Sequence, residues 1–268
     1  MIILIPMGGK GSRFSDAGYK INKACIPTTD RHTGEKLPMV ICAMKDIPGI
    51  NDPKNKIICV DRDFHKTNGT EKVIQKFFPN TTFIHDHVML DQAFGCFLAR
   101  EFLQSEDELF IGACDNGFVY NEKEFDKAKS EFEVLMISHR NDDNIAQNPN
   151  AHSWAKLKPG LKELESISLK KTVSDDPMSD HATTGMFWFK HASDFLNNLE
   201  KMIWKKDALD GKYYVDKVLQ YCIESGLKVG YFDVKYICFG TPIDYENYEK
   251  TISYWKEFAK QEDILWKK

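Results

Sequence analysis

Long apolar runs are missing from this chain: none approaches the roughly 18 residues that a membrane span requires. The apolar start is too short for a secretory leader and has no basic segment before it. Charge of one sign is also lacking, since the formal net charge is −4. That balance gives no electrostatic footprint for nucleic acid or an anionic membrane surface. The seven cysteines (25, 42, 59, 96, 114, 222 and 238) include no C-x-x-C pair, so neither a zinc ribbon nor a disulfide framework is indicated. An odd number of scattered thiols in apolar surroundings reads as reduced core cysteines, and the expected compartment is the cytoplasm. No internal repeat, low-complexity tract or interdomain linker interrupts the chain. Its 268 residues, 42% of them hydrophobic, suffice for a large core.

The most informative segment comes first. Ile2-Ile3-Leu4-Ile5 reads as a short buried strand that runs into Pro6-Met7-Gly8-Gly9-Lys10-Gly11-Ser12-Arg13-Phe14. Three glycines remove the Cβ atoms that would hold a ligand off the backbone. Successive N–H groups in such a loop can converge on an anion. Lys10 and Arg13 add the positive charge that a polyphosphate needs. An ordinary tight turn is the plain alternative. The Walker loop does not fit, because Lys10 is followed by Gly11 rather than Ser or Thr. Nor does the dinucleotide fingerprint, which would need a small residue where Phe14 stands.

Apolar strand-like runs alternate with helical patterns through the first half. Strands are expected at 2–5, 56–60, 81–84, 108–113 and 133–138, with helices near 38–45, 70–78, 92–104 and 123–131. This pattern predicts an α/β fold, a Rossmann-like and mostly parallel sheet with helices on both faces. Residues 140–152, rich in Asn, Asp and Pro, read as a loop. Beyond them a hairpin (153–157 and 162–169) and an aromatic strand at 183–189 suggest a smaller antiparallel part. Helices at 192–204 and 215–224 and a strand at 228–233 follow. Thr241-Pro242 opens the last helix, with Thr241 as its N-cap. The expected organisation is a single domain, 1–268, with a nucleotide-binding half (about 1–140) and an acceptor-binding half (about 141–268).

Further landmarks follow the loop in order: Lys23-Ala24-Cys25-Ile26-Pro27, Gly34 through Pro38-Met39, Asp91-Gln92-Ala93, Phe110 through Asp115-Asn116, Lys171, Thr184-Gly185 and Gly240-Thr241-Pro242. In this order they resemble the sugar-phosphate nucleotidyltransferase family, relatives of the glucose-1-phosphate thymidylyl- and cytidylyltransferases. The resemblance extends, in pieces, over nearly the whole chain. It implies an enzyme in which a phosphate oxygen of an acceptor, in many relatives a sugar 1-phosphate, attacks the α-phosphorus of a nucleoside triphosphate and expels pyrophosphate. The nucleophile is already anionic, so the site must align two polyanions and neutralise charge rather than supply a base.

The resemblance assigns catalytic roles to Arg13, a clamp on pyrophosphate, and Lys23, at the α-phosphate. Met7, Gly8, Gly9, Gly11 and Gln92 would bind the nucleotide. Lys171, Asp180 and Gly185 would bind the acceptor, and Asp115 would hold Mg²⁺. Asp180 lies in 174–181, a stretch similar to a loop of capsule- and lipopolysaccharide-linked relatives. The implied partners are a nucleoside triphosphate and a phosphorylated small molecule, with no nucleic acid or membrane, and self-association is left open. One departure stands out: many relatives have a second metal-binding aspartate where this chain has Cys238, and a neutral thiol is a poor Mg²⁺ ligand. Asp244 and Asp216 are the carboxylates left to substitute for it.

Two other constellations have competing readings. Asp61-Arg62-Asp63 is a D-x-D that would suit a metal-dependent glycosyltransferase. His85-Asp86-His87 would place two imidazoles on one strand face, a spacing open to a metal but also to a plain surface cluster. A catalytically inactive regulatory relative is the third reading, favoured only by Cys238. Asp115 followed by Asn116-Gly117 is expected to end a strand in a turn.

Overall fold

The structure is a computed structural model that describes residues 1–87 and 91–266, and the side chains of 260–266 are left aside. Thirteen strands are found among these residues: β1 (Ile2–Pro6), β2 (Pro27–Thr29), β3 (Lys36–Pro38), β4 (Lys56–Asp61), β5 (Thr81–His85), β6 (Leu109–Ile111), β7 (Asn116–Val119), β8 (Val134–His139), β9 (Ser153–Leu157), β10 (Leu164–Leu169), β11 (His181–Phe189), β12 (Val229–Asp233) and β13 (Lys235–Cys238). The mixed α/β fold is the expected one, and the apolar runs of the first half form the strands read from them. No helix among the described residues is long and apolar enough to cross a membrane.

The central sheet runs β10-β9-β11-β6-β1-β4-β5, and β8 pairs with β11 and carries β12 on its far side. β6, β1, β4 and β5 are parallel neighbours, as are β8 and β12. β11 is antiparallel to β6, β8 and β9. Strands from both halves of the chain thus share one sheet.

Alternation along β1 decides the two faces. Ile2 and Leu4 join one core with Ile58, Val60, Cys96, Leu103, Phe195, Leu199, Val218 and Cys222. Ile3 and Ile5 join the opposite core with Val40, Met44, Ile57, Cys59, Ile74 and Phe125. A strand buried on both faces reads as a continuous apolar run, which is why these strands are visible in the sequence. Helices Gln92–Leu98, Ala192–Trp204 and Val215–Glu224 cover the first face; Met39–Met44, Thr70–Phe77 and Glu122–Glu131 cover the second.

Several expectations are corrected. The helix expected over 92–104 is two, Gln92–Leu98 and Arg100–Leu103, parted at Ala99 without proline or glycine. The 140–152 segment contains a short helix, Asp143–Gln147, whose first N–H groups are capped by Asp142. Asn116-Gly117 is not a turn. Asp115 sits in the bend between β6 and β7, and Asn116 begins β7, which pairs antiparallel with β13 as a two-stranded ribbon. The last helix, Pro242–Trp266, starts as expected: the Asp244 N–H donates to Thr241 Oγ1 at 3.2 Å.

Candidate active site

The C-terminal ends of β1, β4 and β6 open onto a cleft of about 670 Å³. Ligands bind at this edge of open α/β sheets. The loop after β1 supplies Met7, Gly8, Gly9, Lys10 and Gly11 to the wall. Gly11, at φ +66°, takes the left-handed conformation that opens helix Ser12–Asp16. A Cβ there would sit 3.0 Å from the Cβ of Lys23, so glycine also permits the close approach of that lysine.

Lys23 and Asp115 meet in the cleft as an ion pair, with side chains 20% and 26% exposed. Burial alone would pull the Lys23 ammonium down, but the Asp115 carboxylate outweighs it, and the net direction is up. Arg13 is exposed on helix Ser12–Asp16 and does not line the cleft, although its charge is felt at Lys23. Gln92 begins helix Gln92–Leu98 and lines the opposite wall. Asp91 fixes it there, because one carboxylate oxygen accepts the Phe94 N–H at 2.9 Å and the other accepts the Tyr213 N–H at 2.9 Å. The second bond also brings the neighbouring Lys212 into the wall.

β11 is irregular between Thr183 and Met186, where Gly185 has φ +80°. Thr184 donates its hydroxyl to the Ile137 carbonyl at 2.9 Å, and Thr184 and Gly185 face the cleft. Lys171 is exposed beyond β10, and its ammonium has no partner among the described residues. Asp180 accepts the Ser174 hydroxyl at 2.6 Å, closing the 174–180 loop on itself. Neither residue lines the cleft.

The structure therefore gathers Met7, Gly8, Gly9, Gly11, Lys23, Gln92, Asp115 and Gly185 around one cleft, while Arg13, Lys171 and Asp180 stand outside its wall. Sequence reading overlooked Arg62 and Lys212, which join Lys10 and Lys23 as cations of the lining. Arg62 was visible only as the middle of the D-x-D; its guanidinium lies 4.9 Å from the Phe64 ring centre.

Two places have donors suited to a metal. Asp115 is a single carboxylate facing the cleft. Near it, Cys238 lies opposite Asn116 in the ribbon, and its thiol donates to Asp244 Oδ2 at 3.4 Å. Burial, then the Asp244 charge, pushes this thiol up to about 12, so it stays protonated. Asp244 is taken up with Cys238 and the Thr241 hydroxyl, and Asp216 is buried at the start of helix Val215–Glu224. Among the described residues neither joins Asp115 in a three-group cluster; the group that does form is Asp61, Glu71 and His85. Asp61 and Asp63 do not line the cleft, so the D-x-D is not presented to a ligand there as a glycosyltransferase would require.

No family model matches the sequence, and no curated protein matches it. Solved structures do. A nucleoside-diphosphate-sugar pyrophosphorylase from Vibrio cholerae RC9 superposes with a TM-score of 0.72 at 18% identity, over 92% of this chain and 99% of the other. An inositol-1-phosphate CTP transferase from T. maritima gives 0.65 at 18% identity, over 94% of each chain. A UDP-glucose pyrophosphorylase complexed with UDP-glucose gives 0.69 at 13% identity, over 96% and 98%. Across nearly its whole length, this chain has the fold on which these nucleotide-sugar pyrophosphorylases and transferases are built.

Proposed function

We propose that the protein is a nucleotidyltransferase that joins a nucleoside triphosphate to a phosphorylated small molecule, in the first instance a sugar 1-phosphate, releasing pyrophosphate. One observation carries the reading: a glycine loop, the Lys23–Asp115 pair and Gln92 converge on one cleft at the carboxyl edge of the sheet. The fold shared with pyrophosphorylases supports it.

In this reading the backbone of Gly8, Gly9 and Gly11 cradles the triphosphate, and Met7 and Gln92 flank the base. Lys23 neutralises charge at the α-phosphate, and Arg13 reaches in from its helix to the leaving pyrophosphate. Asp115 would hold Mg²⁺, which when bound neutralises phosphate oxygens. The donor set fits, since Mg²⁺ favours one or two carboxylates plus phosphate and water, and Asp115 retains a solvent-facing side. Gly185, Lys171 and Asp180 serve the acceptor, and the similarity of the 174–181 stretch to a loop of capsule- and lipopolysaccharide-linked relatives supports an acceptor among the building blocks of such polymers. Seven free cysteines accord with a cytoplasmic setting.

The test is pyrophosphate release with Mg²⁺ across the four common triphosphates and a panel of phosphorylated acceptors. Release that requires both substrates is expected. Silence across the panel, or consumption of a nucleotide sugar with no pyrophosphate chemistry, would overturn the reading.

A further inference from the structure

Two motifs that the proposed reaction does not use meet beside the cleft. Asp61 ends β4, His85 ends β5, and the parallel register makes them direct partners. Glu71, in the first turn of helix Thr70–Phe77, closes the group. One donor atom from each residue lies within 4.8 Å of the other two. His85 Nδ1 is 3.2 Å from Asp61 Oδ1, and His85 Nε2 is 3.6 Å from Glu71 Oε1.

Hydrogen bonding does not account for the arrangement. The Asp61 side chain is 0% exposed, and among the described residues neither of its oxygens has a hydrogen-bond partner. Glu71 Oε1 and His85 Nδ1 are buried and likewise lack a hydrogen bond among the described residues. A buried carboxylate with no donor destabilises a fold unless a cation or a proton compensates it.

We propose that Asp61, Glu71 and His85 form a binding site for a divalent transition-metal ion, separate from the Asp115 position. An imidazole nitrogen with two carboxylates suits Zn²⁺ or Mn²⁺, whereas Mg²⁺ favours oxygen ligands and retained water. The three donors come from two strand ends and a helix, so the ion fastens these elements together. Arg62 and Asp86, the residues immediately after Asp61 and His85, line the cleft, and the site therefore steadies that wall. Access runs past the partly exposed His85 to Asp63 and His87, which are 70% and 68% exposed and 3.1 Å apart. Asp63 Oδ1 lies 3.8 Å from His85 Nδ1, within reach of a further ligand position.

The test uses the full chain, stripped with a chelator and re-equilibrated with Zn²⁺, Mn²⁺ or Mg²⁺ in the absence of any nucleotide. Bound metal is measured after gel filtration, and melting is followed in parallel. One equivalent of Zn²⁺ or Mn²⁺ is expected in the wild type and in Asp115→Asn, and it should be lost in both Glu71→Gln and His85→Asn. At a hundredfold excess over Kd, the melting temperature should rise by about 5–10 °C in the first pair and not in the second. Glu71→Gln changes one atom of a side chain that is 15% exposed, against 0% for Asp61, so a folding failure at Asp61→Asn leaves the test intact. Uptake unaffected by Glu71→Gln, loss in Asp115→Asn instead, equal binding of Mg²⁺, or no uptake at all would overturn the proposal. The last result, with Glu71→Gln more stable than the wild type, would mark a proton-sharing cluster. Because no triphosphate is present, the outcome is independent of whether nucleotidyl transfer is observed.

Discussion

Lys23 and Asp115, 92 residues apart in the sequence, hold each other across the cleft through an ion pair. Each is the residue that the proposed reaction assigns to a separate phosphate-neutralising task, so the pair is a resting arrangement that substrate and metal would divide. Both side chains keep a solvent-facing side, so Asp115 can regain water when its partner is removed and the loss of stability should stay modest. Lys23→Met should therefore melt within a few degrees of the wild type while kcat for pyrophosphate release falls on the order of 10²–10³-fold. A large drop in melting temperature with kcat preserved would make the pair structural instead.

The glycine loop separates folding from ligand binding at adjacent positions. Gly11 has φ +66° and abuts Lys23, so Gly11→Ala should cost about 1–2 kcal/mol of stability from the left-handed backbone and displace the lysine as well. A Cβ at Gly9 would meet nothing within 4 Å. Gly9→Ala should then melt like the wild type but show a raised KM for the triphosphate, because its methyl occupies space that a phosphate would use. Unchanged triphosphate kinetics in Gly9→Ala would show that the phosphates do not approach the loop there.

What could be read from the sequence follows a physical divide. The strands β1, β4 and β8 were legible because burial on both faces makes them continuous apolar runs, and helices Ala192–Trp204 and Val215–Glu224 because their periodicity is sustained. The ribbon of β7 and β13 was not legible: each strand has four residues, and the pairing joins positions more than a hundred residues apart. The break at Ala99 carries no glycine or proline to announce it. Order of motifs placed the glycine loop after β1 and Gln92 at a helix start, as expected, whereas Asp115 lies in a bend beyond β6 rather than at a strand end, and only coordinates show Lys23 against Asp115. Arg62 escaped notice because its place in the cleft depends on where β4 ends. Asp61 and His85 each lay in a conspicuous motif, yet their meeting rests on strand register, which local pattern does not specify.

Cys238 offers a test of the metal position. Its protonated thiol faces Asp244, and the charge of Asp115 also reaches it. Cys238→Asp would set a third carboxylate among these groups. Without metal, like-charge repulsion should lower the melting temperature by several degrees; with Mg²⁺, the concentration needed for half-maximal activity should fall. An unchanged Mg²⁺ titration would separate residue 238 from the metal.

Acid should weaken the fold through buried histidines. Burial, then the neighbouring His139, lowers His152 from 6.5 to about 4, so in the folded protein it is neutral where the unfolded chain is already protonated. Its contribution is intact above about pH 6.5 and is lost as the pH falls toward 4. At pH 5 the difference is about 2 kcal/mol for a shift of this size. Denaturant titrations at pH 7.5 and 5 should show His152→Gln losing less stability than the wild type by roughly that amount. Equal losses would mean that His152 is accessible to protons in the folded state.

Lys170 and Lys171 test recognition of the acceptor apart from that of the triphosphate. On a regular strand neighbours would point to opposite faces, but β10 ends at Leu169 and Lys170 has φ +56°, so strand alternation does not decide between them. Their engagements do. The Lys170 ammonium donates to the Ala151 carbonyl and lies 5.4 Å from the Tyr214 ring centre, which occupies it within the protein. Lys171 is exposed, and among the described residues only its backbone is engaged, its carbonyl accepting the Ser168 hydroxyl at 2.7 Å. An ammonium without a protein partner is the one available to an incoming phosphate. A charge-assisted hydrogen bond is worth about 1.5–3 kcal/mol, so Lys171→Ala should lower kcat/KM for the acceptor roughly 10- to 150-fold, with KM for the triphosphate nearly unchanged. Lys170→Ala should instead lower the melting temperature modestly and leave acceptor kinetics close to wild type. The reverse pattern, with the acceptor defect in Lys170→Ala alone, would transfer the phosphate contact to Lys170 and assign Lys171 to the solvated surface.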